Sequence, residues 1–388
     1  MRGSAAAGPR VRVAVRPFVV LCGSSLLFYL SFQLLLSVVP LHTVRLGGRE
    51  THVGLITGLF AGTAMVLRPV AGVLVDALGR RPLILAGATI FILSSLGYTV
   101  VGTVAGLLAL RVVHGAGMGL APTAATVMVA DVSPPDRRGE AMGVYSLTIT
   151  TGNAVGPWLG IELYRRIGPE PTFLVSAAIA ACAVALAWAL PETRPTPHRA
   201  GAWRAGLFSR AALYPSALIL GLYVGFGALV SFLPLYAERR GLGNPGLMFM
   251  VFALAGLAVR WPAGRLADRL GRRLVVAPAL VLAGLGLAML AHAGSAAGLV
   301  AAGVLYGVGF GAAQPALMTM ATDRAPPDER GRALGTLYTA WETGIMTGAI
   351  GLGLLVGRVG LERMWWLLAL LAWLTALGAT RDIRRRRG

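Results

Sequence analysis

The chain has 388 residues, 56% of them hydrophobic and only 13% charged, with a mean hydropathy of +0.71. Soluble domains carry roughly 25% charged residues, so these proportions exclude a large soluble core and indicate an all-α integral membrane protein. The formal net charge of +19 would suggest nucleic acid in a soluble chain, but its distribution excludes that reading here.

About 20 apolar residues cross a bilayer's hydrocarbon. Twelve runs qualify, at about 18–41, 54–75, 82–101, 104–130, 140–162, 172–190, 212–236, 246–267, 274–292, 296–321, 332–356 and 363–380. Span 1 follows Arg2, Arg10, Arg12 and Arg16 and is too long for a signal-peptide core, so the segment before it reads as a cytoplasmic tail. The apolar pattern breaks at Pro191 to Arg210, rich in Pro, Arg and small residues. The expected organisation is a six-helix half at 1–190, a cytoplasmic linker at 191–211, and a second six-helix half at 212–388 with a basic tail. A short amphipathic stretch is expected around Trp203 to Phe208.

All 35 basic residues are arginine. Twenty-four fall on one side of the twelve spans or at their ends there and eight on the other, while Arg68, Arg111 and Arg260 lie deeper within spans. By the positive-inside rule both termini are expected in the cytoplasm, in a multi-pass protein of a plasma membrane, the cytoplasmic membrane of a prokaryote. The tail RDIRRRRG should be drawn to anionic lipid. With no lysine there is no Walker A loop, so the chain by itself is no ATP-driven pump. Active transport must draw on an ion gradient or a partner ATPase. Cys22 and Cys182 lie inside apolar runs without metal-ligand spacing and read as buried thiols.

The sequence repeats itself. GVLVDALGRR, Gly72 to Arg81, returns 192 positions later as GRLADRLGRR, Gly264 to Arg273. At the same offset Arg68 matches Arg260, Gly115 matches Gly307, Gly117 matches Gly309, and Asp131 matches Asp323. In the first helices the offset is 194, as for Tyr29 with Tyr223 and Phe32 with Phe226. The fold expected is therefore two pseudo-symmetric six-helix bundles. Gly72 and Gly264 would permit close helix approach, and Gly79 and Gly271 suit a tight turn with positive φ. Asp76 ends a helix whose dipole disfavours it, so it should seek a partner, the start of span 11 near Arg332 being the best candidate.

Gly72, Asp76, Gly79, Arg80 and Arg81 resemble the G-x-x-x-D-x-x-G-R-R/K signature of the major facilitator superfamily. Gly264, Asp268, Gly271, Arg272 and Arg273 form the second copy, after span 8, where the family also carries one. The resemblance covers nearly the whole chain and implies parallel halves that alternate access to a midplane site. It also implies that Asp76, Arg80, Arg81 and Asp131 latch the cytoplasmic side in the outward-open state. Arg111-Val-Val-His114-Gly115-Ala-Gly117 resembles the family's span 4 motif R-x-x-x-G-x-G. Gly152, Gly156, Pro157 and Gly160 resemble the span 5 motif of its drug:proton antiporters, with Ile161 in place of a final glycine.

Charges within spans usually mark function, so Arg111 and Glu342 are proton-coupling candidates; Asp131, just past span 4, is another. His114, one turn from Arg111, is a further one, with a packed histidine as the alternative. Glu342 falls close to the midplane, where a carboxylate suits a group that loads and unloads protons; pairing with Arg111 or another arginine is its structural alternative. Trp341 could stack on a flat or cationic substrate. Span 1 offers Gln33 where many drug exporters carry an acid. Tyr29, Asn153, Tyr223, Phe226 and Gln314 complete a set that could line a central cavity.

These residues predict a secondary transporter, driven by a proton gradient and without a cofactor, that exports small amphipathic compounds or drugs by proton antiport. The alternatives are a proton symporter importing a sugar, carboxylate or other metabolite, and a non-transporting membrane receptor or scaffold. No enzyme and no metal site are read from the residues. The expected partners are a small-molecule substrate, protons and the bilayer, with the protein acting as a monomer.

Overall fold

The computed structural model describes residues 15–134, 137–193, 208–326 and 329–384. The amphipathic stretch expected around Trp203 and the basic end of the tail lie outside the described residues, as do the side chains of Asp268 and Arg273. The described chain is helical. Spans 1 to 6 are Val15–Arg45, Glu50–Leu78, Arg80–Val100, Val104–Val132, Arg138–Ile167 and Pro169–Trp188. Spans 7 to 10 are Leu213–Arg239, Gly246–Leu270, Arg272–Ala291 and Ala296–Arg324. Span 11 runs from Arg330–Met346 through a π-helical turn, Thr347–Gly351, into Leu352–Val359, and span 12 is Leu361–Arg384.

Eleven of these helices are long and apolar enough to cross a membrane. Span 5 is the exception. Ser146, Thr150 and Asn153 interrupt its apolar run, and all three face the central cavity described below. Their hydroxyls and amide need water or a partner that lipid cannot supply.

The halves are built alike. Span 1 packs on spans 5 and 6, span 4 on spans 2 and 3, and span 3 on span 6. The second half repeats this with span 7 on spans 11 and 12, span 10 on spans 8 and 9, and span 9 on span 12. Spans 3, 6, 9 and 12 form the outside, where Leu93, Leu174, Leu285 and Leu374 stand exposed as lipid-facing side chains do. Cys22 and Cys182 are free thiols; Cys22 is buried as expected, whereas Cys182 is exposed on the outward face of span 6.

Gly79 and Gly271 turn the chain between spans 2 and 3 and between spans 8 and 9, with φ of 101° and 93°. A β-carbon is disfavoured in that region, which accounts for a glycine at this point of each repeat. Because the spans alternate, the linker and both ends of the described chain share one face, called here the linker face.

The halves meet on the opposite face and part on the linker face. On the opposite face Arg239 pairs with Glu50 at 2.6 Å, and Thr51 donates to the Gly353 carbonyl. Asn244 donates to the Trp158 carbonyl and Arg165 to that of Gly243. Two glycines make this closure tight. A β-carbon on Gly54 would lie 2.3 Å from the Ala349 oxygen, and one on Gly246 would lie 2.2 Å from the Trp158 Cα. Gly54 and Gly246 are repeat equivalents at the offset of 192, as are Pro157 and Ala349, which they meet. On the linker face no atom of the described residues lies within 4 Å of the positions where Gly72 and Gly264 would carry a β-carbon. The close helix approach expected of these two glycines is absent from this state.

Candidate functional site: a two-half cavity

Between the halves lies a cavity of about 650 Å³, within the range of small-molecule sites. Tyr29, Gln33 and Asn153 line it from the first half, and Tyr223, Phe226, Gln314 and Trp341 from the second. All seven cavity candidates therefore converge. A polar side chain in an apolar span has few other places to go. The Gln33 amide donates to Asn153 Oδ1 at 2.6 Å, joining spans 1 and 5. Trp341 stacks on Tyr223, with centroids 4.3 Å apart. Phe310 bridges Phe226 and Phe252, at 5.3 Å from each.

Glu342 also lines the cavity. Its Oε1 lies 2.7 Å from Nη2 of Arg68, with 7% of the carboxylate side chain exposed and 35% of the guanidinium one. The partner is Arg68 rather than Arg111. Arg68 belongs to span 2 and Glu342 to span 11, so the ion pair joins the two halves.

The other three proton-coupling candidates sit elsewhere. Arg111 and His114 are fully buried. The Arg111 guanidinium packs over the Phe60 ring at 4.8 Å, and Phe60 in turn lines the cavity, so the aromatic ring screens the charge from it. Arg111 donates to the Ile56 carbonyl, and His114 Nδ1 lies 3.1 Å from the Tyr98 hydroxyl. Asp131 lies at the linker face, where its Oδ2 accepts from Arg80 Nε at 2.8 Å.

The latch residues are drawn together inside the first half. The buried Arg80 side chain reaches Asp131, the Val75 carbonyl and, at 3.4 Å, Asp76. Asp76 keeps 75% of its side chain exposed and pairs with Arg80 rather than with the start of span 11. Glu192, just past span 6, accepts from the backbone N–H groups of Arg80 at 2.8 Å and Arg81 at 3.1 Å. It thereby satisfies free donors at the start of span 3. Pro191-Glu192-Thr193 carries too little information in the sequence to assign Glu192 this role. In the second half Arg272 Nε reaches Asp323 in the same way as Arg80 reaches Asp131.

The span 5 motif is a helix seam. β-carbons on Gly152, Gly156 and Gly160 would lie 2.9 Å from Tyr29 Cβ, 2.5 Å from Gln33 Cβ and 2.3 Å from the Leu34 oxygen, all on span 1. Gly344 and Gly348, 192 positions on, press span 11 onto span 7 at Leu220 and Val224.

Comparison with known proteins identifies the architecture. The sequence profile of the Major Facilitator Superfamily matches residues 21–259 and 244–386. The chain belongs to the major facilitator superfamily. It is a membrane transporter of that family and not an enzyme. It is 28% identical to the multidrug resistance protein MdtH of Aeromonas hydrophila, over 92% of this chain and 91% of that one. It is 25% identical to the staphylopine export protein of Staphylococcus aureus, over 92% and 93% respectively. Among solved structures, the nucleoside transporter NupG superposes with a TM-score of 0.81 at 14% identity, covering 94% of this transporter and 99% of NupG. The human organic anion transporter MFSD10 superposes with a TM-score of 0.69 at 20% identity, covering 94% and 99%. At these identities the structural likeness establishes the fold alone.

Proposed function

We propose that this transporter exports small amphipathic compounds in exchange for protons, with Glu342 as the proton carrier. The observation that carries the reading is the Arg68–Glu342 ion pair across the halves, inside the cavity. That pair exists only while Glu342 is ionised, so Arg68 and a proton compete for one carboxylate. In the state open at the linker face, taken as cytoplasmic from the arginine distribution, Glu342 is paired and free of its proton. Rocking the halves separates spans 2 and 11, and the carboxylate then accepts a proton from outside. Return to the first state delivers that proton inward.

The aromatic lining suits amphipathic bodies, and export is supported by the span 5 motif and by relatives named as an export protein and as a multidrug resistance protein. The test is flux of a panel of small amphipathic compounds in proteoliposomes under an imposed pH gradient. Substrate and protons moving in opposite directions supports antiport; movement in the same direction replaces it with symport. Absence of gradient-driven flux across the panel overturns the coupled-transport reading.

A further inference from the structure

Three charged side chains line the cavity among the described residues: Arg68, Arg260 and Glu342. Arg68 and Glu342 neutralise each other. Arg260 has no ion-pair or hydrogen-bond partner among the described residues and stands exposed to the cavity. The repeat explains why. Arg260 is the equivalent of Arg68, but the equivalent of Glu342 is Thr150, also on the cavity wall. The Thr150 hydroxyl is turned back to the Ser146 carbonyl of its own helix, at 2.9 Å. One half of a pseudo-symmetric pair of ion pairs is therefore missing its acid.

We infer that the acid is supplied by the substrate, and that the compounds carried are small organic monoanions with an apolar or aromatic body. The anionic group docks on the Arg260 guanidinium, whose planar fork of donors matches a carboxylate or sulfonate. The body lies against the aromatic surface formed by Phe252, Phe310, Phe226 and Trp341. This assignment rests on the cavity being the transport site, as proposed above. It also gives the anion a part in the cycle. While the cavity is open, water solvates Arg260; closing both faces removes that water, and a lone charge within the membrane is costly. An anion on Arg260 removes the cost from the export step; the return step, made without substrate, carries it and is the slower of the two.

The test uses the full-length protein in nanodiscs and three probes of one shape: 2-naphthoate, 2-naphthamide and 2-naphthylmethylammonium. Equilibrium binding should favour 2-naphthoate over the amide by about tenfold or more, as expected for a hydrogen-bonded charge pair. Arg260→Gln should abolish that preference and Arg260→Lys should keep part of it. Thr150→Glu should also abolish it with Arg260 intact, by restoring the missing internal acid. Equal or tighter binding of the amide or ammonium by the wild type overturns the inference, as does no binding of 2-naphthoate. A preference that survives both Arg260→Gln and Thr150→Glu overturns it too. No gradient enters this assay, so Arg260-dependent binding without proton-driven flux would keep the anion site and overturn only the coupling.

Discussion

Arg68 and Glu342 meet at 2.7 Å across the two halves of the molecule, whereas Thr150, not an acid, stands at the repeat equivalent of Glu342 on the side of Arg260. In the proposed cycle the first contact ties proton occupancy to the relative position of the halves. An ion pair that is partly exposed on one side and buried on the other is worth on the order of 1–3 kcal/mol, between the surface and interior cases. Glu342→Gln removes it only in the state open at the linker face, so that state should lose population relative to the other by about fivefold or more. Spin labels at Val73 and Leu266, exposed residues of spans 2 and 8, report the opening. The variant should shift their distance distribution towards shorter values; an unchanged distribution would mean that the pair does not bias the equilibrium.

The closure opposite the linker rests on two glycines against backbone. A β-carbon on Gly54 or Gly246 would come within 2.3 Å of the facing chain, which must move apart at a cost of about 1–3 kcal/mol. Gly54→Ala and Gly246→Ala should each open this face and raise the labelling rate of a cavity cysteine, such as Tyr29→Cys, by a membrane-impermeant maleimide added from that side. Labelling that stays at the parent rate in both would contradict the closure described here.

Glu192 holds the turn between spans 2 and 3 through two backbone N–H groups. Loss of a capping acceptor costs about 0.5–2 kcal/mol, so Glu192→Ala should lower the melting temperature in detergent. Gly79→Ala should lower it further, because it combines φ of 101° with a β-carbon 2.6 Å from the Glu192 carboxylate. The order of the two melting temperatures is the check.

Much of this was legible in the residues, for a physical reason. Tyr29, Gln33, Asn153, Gln314 and Glu342 are polar groups in spans that otherwise face lipid or core, and the cavity is where such groups can be hydrated. The positive φ of Gly79 and Gly271 followed from the repeated turn. Contacts between halves were not legible. Arg68 and Glu342 are 274 positions apart on different bundles, and neither carries a spacing that names the other. Gly54 and Gly246 sit at the repeat offset, yet among 52 glycines nothing in the sequence separates a closing glycine from a packing one. Asp76 was expected at the start of span 11, but with the linker face open its near partner is Arg80 on its own side.

If one proton enters for each monoanion exported, two positive charges move inward per cycle. A membrane potential is worth about 2.3 kcal/mol per charge per 100 mV, so an inside-negative potential should drive export without any pH gradient. Naphthoate efflux under a potassium diffusion potential set by valinomycin measures this. Efflux indifferent to the potential would contradict the charge count.

The most direct measurement of the central claim is substrate flux in proteoliposomes with an imposed pH gradient, wild type against Glu342→Gln. The wild type should move substrate against its gradient and protons in the opposite direction, while Glu342→Gln should retain exchange of substrate for substrate but lose gradient-driven accumulation. Accumulation by Glu342→Gln at the wild-type rate would contradict the assignment of Glu342 as the proton carrier.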